Sequence, residues 1–385
     1  MFQRTARLHA KPRFAVKQVN GWQIDSANCK PRFAPFQRSG RERAGPDSYG
    51  FGLMNRETTE PVLRQGTMNF SLKYKKRPNE LAELASSIRP QEWEEDISRN
   101  SLDDRPFENL PPISERDESE LANPERLLPE YLRDGSTIQE LAARDPFPIP
   151  CPADREGYSP GFDGQYWMSG LADHLKIVRA ATGHGVAINR YFDFGCASGR
   201  VIRHFCAQTD VAEIWGSDIN QRHIRWLYEH LPARVKPVFN HCIPTLPIPD
   251  NYLDLVSAFS VFTHIDTFET AWLAELRRIL RPGGIAYLTV HNEDTWSILR
   301  EEIDNPKNRL IQSILSVDPE FAERIKEEMP DCRTIYRHTV QGPYRAQVFH
   351  SNNYLKKVWG RFFDLLEILP AHHVRQTVVV LRKPE

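Results

Sequence analysis

The sequence predicts an α/β fold built on a largely parallel sheet, preceded by an N-terminal stretch of different character. Three observations carry the prediction. From Gly164 onward, strand and helix patterns alternate, which implies parallel strands covered on both faces. A turn with glycines at Gly195 and Gly199, in "YFDFGCASGR", stands between the first strand and the helix after it. Near the C-terminus, "FFDLLEILP" and "TVVVLRK" are two apolar strands joined by a few residues, too short for a crossover, so they pair antiparallel.

The elements follow in order. Residues 1–78 are rich in Arg, Gly, Pro and Phe without a sustained period and read as an unstructured extension or a start called too early, with Met54 or Met68 as the alternative start. The Arg-rich opening also weakly resembles an organelle transit peptide. Residues 79–150 read as an acidic accessory arm with short helical patterns in "PNELAELASSI", "ERLLPEYLRD" and "TIQELAARD". The arm holds 18 acids and seven Arg between Asn79 and Asp145, whereas Met1 to Gly50 holds ten basic residues and three acids. Such blocks are usually solvated. The prolines of "DPFPIPCPADREGY" force extended backbone and mark a boundary near residue 150, so residues 151–385 form the main domain.

Within that domain, strands are expected at "RYFDFG", "EIWGSDI", "VKPVFN", "LDLVSAFS" and "GIAYLTVH", and helices at "GRVIRHFCAQ", "QRHIRWLYEHL" and "ETAWLAELRRIL". A net charge of -1 gives no global reason to expect nucleic acid or an anionic membrane as partner. No run of about 18 apolar residues is present, so no spanning helix is expected. The six cysteines include no C-x-x-C pair, so no metal site is expected and a reduced, cytoplasmic setting is the simplest reading.

The glycine turn has the wrong spacing for a pyrophosphate, and Asp193 would oppose one. A carboxylate there suits a cationic ligand. The second strand ends in "GSDI", which sets Asp218 nineteen residues beyond Gly199, where a carboxylate can accept from both ribose hydroxyls. Together these describe a nucleoside without phosphate and with positive charge at its other end, as in S-adenosylmethionine.

Four stretches in order, "FDFGCASGR", "GSDI", "LPIPDNYLDLVSAFSVFTH" and "WLAELRRILRPGGIAYLTVH", resemble the class I S-adenosylmethionine-dependent methyltransferases of the type labelled 11, 12 or 25. The resemblance covers about Tyr158 to Pro384. It implies a Rossmann-like seven-stranded sheet in the order 3-2-1-4-5-7-6 with the last strand antiparallel. It also implies that Asp193, Gly195, Ala197, Gly199, Asp218, Ile219, Phe259 and Ser260 bind the cofactor. An acidic residue facing adenine, often present after the third strand, is replaced by "FNHC", which leaves Asn240, His241 and Cys242 open as adenine contacts.

The expected activity is methyl transfer to a small molecule or saccharide, most simply at oxygen, with no nucleic acid or membrane as partner. N- or C-methylation and a non-catalytic cofactor-binding module are the alternatives. A nucleotide-sugar or NAD-dependent oxidoreductase would need the missing phosphate loop. The base candidates are histidines at the carboxyl edge of the sheet, His291 ahead of His264 and His350. Tyr166 and Trp167 are expected to close over the cofactor, and residues 298–345 to cap the acceptor.

Overall fold

A computed structural model describes residues 103–116, 121, 135–159, 162–337 and 346–385. The extension at 1–78, the expected helices "PNELAELASSI" and "ERLLPEYLRD", and the starts at Met54 and Met68 lie outside the described residues.

The core is a seven-stranded sheet in the order β3-β2-β1-β4-β5-β9-β8. Its strands are β1 (Arg190–Phe194), β2 (Glu213–Asp218), β3 (Val235–Phe239), β4 (Leu253–Ala258), β5 (Leu280–Val290), β8 (Asp364–His373) and β9 (Gln376–Arg382). The first five run parallel, while β9 lies antiparallel to both β5 and β8. This is the expected topology, including the close C-terminal pair.

Strand alternation decides which side chain meets which layer. Tyr191, Leu255, Ile285 and Val380 face one apolar layer with Ile202, Phe205, Trp226 and Leu227. Their neighbours Phe192, Val256, Ala286 and Val379 face the opposite layer with Trp272, Leu273 and Leu276. The strands are buried on both faces, so they read as continuous apolar runs. The helices supplying these layers are α2 (Asp163–Gly183), α3 (Ile202–Gln208) and α4 (Gln221–His230) on one side and α5 (Glu269–Ile279) on the other.

Before the sheet, α1 (Ile138–Ala143) begins with a reciprocal cap in which Thr137 Oγ1 accepts from Glu140 N and Glu140 accepts from Thr137 N. Several acids of this segment are paired with the helices of the sheet. Asp145 is fully buried and receives Arg203 Nε at 2.7 Å and Trp167 Nε1 at 2.7 Å. Asp154 receives Arg222 Nε at 2.5 Å, and its carbonyl accepts from Ser198 Oγ, in the glycine turn, at 2.5 Å. A buried carboxylate needs such partners, and removing one partner is costly.

After β5 the chain leaves the sheet through α6 (Glu293–Glu301), α7 (Arg309–Leu315), α8 (Phe321–Arg324) and a hairpin of β6 (Arg333–Arg337) and β7 (Ala346–His350). Trp296, Leu299, Ile311, Ile314, Phe321 and Phe349 give this insertion a core of its own. The chain returns through α9 (Asn352–Val358). Two backbone bonds tie β7 to the sheet: Val348 N donates to Thr263 O, and His350 N to His291 O, both at 2.8 Å.

Candidate functional site

The turn after β1 is fixed by its backbone. Gly195 N and Cys196 N both donate to Ser217 O, at 2.8 and 2.9 Å. Gly195 has φ +75°, and a Cβ there would stand 2.3 Å from Val261 Cγ2, so both conformation and space demand glycine. Ala197 adopts φ +44°, in the left-handed region that costs an L-residue energy, and its N–H donates to Asp218 Oδ2 at 2.8 Å. Asp218 Oδ1 accepts from Asn220 N at 2.8 Å. The carboxylate is thereby held at the end of β2. His223 lies beneath it, with Nδ1 3.7 Å from Asp218 and Nε2 3.4 Å from Glu156. Burial works against a charged ring, but Asp218 and Glu156 outweigh it and hold His223 above the usual imidazole range.

These groups border a cavity of about 600 Å³ at the carboxyl edge of the sheet. Gly195, Ala197, Asp218, Ile219, Phe259, Ser260 and His264 line it, as do Asn240, His241 and Cys242. Its carboxylates are Glu156, Asp218 and Asp266. A second cavity, about 720 Å³, shares Tyr158, Ser260, His264 and Arg309 with the first. His291 borders only the second. Open α/β sheets bind ligands outside the carboxyl ends of their strands, and both cavities lie there.

Two of the expected cofactor residues stand behind the wall of the first cavity. Gly199, at φ +73°, packs under Leu231 and Leu227. Asp193 is 3% exposed and accepts from Ser257 Oγ at 2.7 Å, while Tyr191 Oη and Ser257 Oγ lie 2.6 Å apart. Burial pushes Asp193 up to about 7 against the pull of Ser257 and Arg200.

Tyr166 and Trp167 do not close over a ligand. Both are buried against Leu141 and Ile149, because Trp167 Nε1 is drawn to Asp145. Tyr158 takes that place, lining both cavities with its hydroxyl 3.3 Å from Ser260 Oγ.

The histidines separate by environment. His350 is fully buried, with Nε2 3.2 Å from Glu269 Oε1, and borders neither cavity. His264 Nδ1 lies 2.9 Å from the Ala346 carbonyl, so that nitrogen donates. His291 is 5% exposed, and burial together with nearby His264 and His350 pushes it down to about 3.

His373, the last residue of β8 in the "PAHHVRQ" run, borders the second cavity and was not among the site residues expected from sequence. Its Nδ1 is 3.1 Å from Asp173 Oδ1, and Arg200 holds the other oxygen of Asp173 at 2.7 Å. The His373 ring packs 4.8 Å from Phe259 and 6.3 Å from Tyr158. Burial disfavours the charge on Asp173, but His373 and Arg200 hold the carboxyl well below its usual range. Ionised Asp173 therefore accepts a hydrogen bond from the Nδ1–H of His373, leaving Nε2 as the ring's acceptor beside the second cavity.

The first cavity fits S-adenosylmethionine. Asn240 is 4% exposed and lines the cavity, and its Oδ1 is buried without a partner while Nδ2 donates to His241 O at 2.9 Å. An unpaired buried acceptor calls for a donor such as an exocyclic amine. Asp218 offers carboxylate lone pairs to a diol, and the cavity's negative charge suits a sulfonium.

Residues 192–288 match the family described as "Methyltransferase domain". A ubiquinone/menaquinone biosynthesis C-methyltransferase, UbiE, of Cupriavidus metallidurans is 29% identical over 214 residues, 54% of this chain and 83% of that protein. The enzyme of the same name in Paraburkholderia phytofirmans is 31% identical over 121 residues, 30% of this chain and 48% of its own length. Among solved structures, the Burkholderia thailandensis 1,6-didemethyltoxoflavin-N1-methyltransferase aligns with 13% identity over 65% of this chain and 92% of its own, at a TM-score of 0.39. The chain is an S-adenosylmethionine-dependent methyltransferase.

Proposed function

We propose that this S-adenosylmethionine-dependent methyltransferase methylates a hydroxyl oxygen of a small polar molecule, a saccharide included, and that His373 takes the proton. The observation that carries the reading is the Asp173–His373 pair, packed against Phe259 and Tyr158 where the two cavities meet. When bound, the cofactor supplies a methyl group already activated on a sulfonium. What remains for the chain is to orient a nucleophile and accept its proton.

Asp173 fixes the tautomer of His373 and stabilises the imidazolium that forms at Nε2. His291 is a poor competitor, because a ring held neutral to about pH 3 binds a proton weakly. His264, at the border of both cavities, is suited to hold the acceptor. Asp218 would hold the ribose and Asn240 the adenine amine. Gly195 and Ala197 give the backbone close approach, with Ile219, Phe259 and Ser260 completing the wall. Asp193 would balance the ammonium from behind it.

The names of the relatives favour a second reading, methylation at carbon. The experiment is to incubate the full chain with methyl-labelled cofactor and a small-molecule cell extract and identify the labelled product by mass spectrometry and NMR. An O-methyl product is expected. His373→Asn should lower kcat by about 10² or more while leaving S-adenosylhomocysteine affinity within twofold. A C-methyl product, or full turnover in His373→Asn, would replace this reading.

A further inference from the structure

The two adjoining cavities carry opposite charge. The first is bordered by Glu156, Asp218 and Asp266, three carboxylates against one cation, Arg309, which stands at the border it shares with the second. The second has no Asp or Glu among its lining residues and three permanent cations, Lys307, Arg309 and Arg375. Arg375 is already engaged by Glu302, at 2.9 Å. Lys307 and Arg309 stand at the rim with no carboxylate partner among the described residues.

The rim that carries them is built. Asn308 is 7% exposed, donates to Glu302 Oε2 at 2.6 Å, and accepts from Leu310 N and Ile311 N at 3.1 and 3.3 Å. Lys307 N donates to Asn305 Oδ1 at 3.0 Å. Ile311 and Ile314, on the next turns, are buried in the core of the insertion. A turn anchored this way holds two cations over the cavity at little further ordering cost.

We propose that the methyl acceptor is an anion, whose carboxylate or phosphate lies against Lys307 and Arg309 while its nucleophilic atom faces the junction of the two cavities. The inference rests on the reading of the second cavity as the acceptor site. It is independent of whether oxygen or carbon is methylated. The charge division also sorts the two ligands, since an anion is repelled by the first cavity and a sulfonium by the second.

The test uses the full chain, methyl-labelled cofactor and a small-molecule cell extract divided on an anion exchanger at pH 8. Acceptor activity should be retained on the resin. Phosphatase treatment of that fraction should abolish it if the group is a phosphate and spare it if a carboxylate. Lys307→Gln, which lies outside the first cavity, should raise acceptor KM, and Lys307→Gln/Arg309→Gln should raise it at least about tenfold, the loss expected for hydrogen bonds to a charged group. Label accepted only by the unretained fraction, or an unchanged KM in the double variant, overturns the inference.

If no fraction accepts label, the protein loaded with S-adenosylhomocysteine is titrated with sodium phosphate and sodium acetate. Saturable binding of either, lost in the double variant, supports the inference, and no binding of both overturns it. Failure of S-adenosylhomocysteine itself to bind would instead strike at the first cavity. A retained, carbon-methylated acceptor would remove only the oxygen reading.

Discussion

The two cavities share four lining residues yet are assembled in different ways. The first is made chiefly of strand ends and the turns after them: Gly195 and Ala197 follow β1, Asp218 ends β2 and Ile219 follows it, Asn240 follows β3, and Phe259 and Ser260 follow β4. Its shape depends on backbone conformation at a few positions. The second gathers His291 just after β5, Lys307 and Arg309 from the insertion, Gln347 from β7 and His373 to Gln376 from the closing hairpin. Its character depends on side chains brought together by packing. The first should therefore fail sharply under small backbone changes, and the second should change specificity under side-chain changes.

The largest expected effect is at Gly195. Gly195→Ala adds a Cβ 2.3 Å from Val261 Cγ2 at a left-handed φ. Backbone strain of about 1–2 kcal/mol and overpacking of about 1–3 kcal/mol should lower the melting temperature and weaken S-adenosylhomocysteine binding at least about hundredfold. Near-normal binding by calorimetry would show that the turn is softer than its geometry. By contrast, His373→Asn should leave that affinity alone.

Asp218→Ala comes next. The carboxylate orders the loop through Ala197 N and Asn220 N and, in the proposed role, accepts from the ribose. Charge-assisted hydrogen bonds are worth about 1.5–3 kcal/mol each, so cofactor affinity should fall about tenfold or more. Equal affinity in the variant would remove Asp218 from the ribose.

The difference between the cavities also explains what was legible in the sequence. The strand order and closing antiparallel pair follow from apolar runs and link lengths, which are local properties. The bordering roles of Gly195, Ala197 and Asp218 follow from one turn and one strand end. Tyr158 escaped because four prolines and a boundary pattern precede it, while Tyr166 and Trp167 offered a larger aromatic signal nearby. Their burial was decided by Asp145, a residue of the preceding segment. His373 was hidden at the polar end of β8, beside the hairpin turn, and only its spatial neighbour Asp173, 200 positions earlier, gives it meaning. Polar "AHHVRQ" between two apolar strands was the available signal. His291 shows the reverse case: its place after a strand end sets it beside a cavity, but sequence could not reveal the burial that lowers its basicity.

A smaller effect concerns pH. Burial raises Asp193 to about 7, so much of it is protonated below neutrality in the ligand-free protein. An ammonium bound nearby favours the carboxylate and lowers that pKa. Proton release then accompanies binding, and cofactor affinity should rise as pH increases toward about 7, by up to about tenfold per pH unit, and level off above it, where Asp193 is already ionised in the free protein. Asp193→Asn should flatten the dependence. A pH-independent affinity in the wild type would place the ammonium elsewhere.

The smallest effect is expected at Ala197, where the backbone logic of the first cavity is least satisfied. Ala197 sits at φ +44° with its N–H committed to Asp218 Oδ2, so the loop keeps an L-residue in a conformation glycine adopts freely. Ala197→Gly relieves strain of about 1–2 kcal/mol in the folded state, but it loosens the unfolded chain by about 0.4–1 kcal/mol. The two terms oppose each other, leaving a net gain between about zero and about 1.6 kcal/mol. Because the N–H and the Asp218 contact are retained, S-adenosylhomocysteine affinity should change by less than about threefold while the melting temperature rises slightly. A clear loss of stability would mean that the methyl group of Ala197 packs usefully against the cavity wall, and that this turn, too, depends on side chains as the second cavity does.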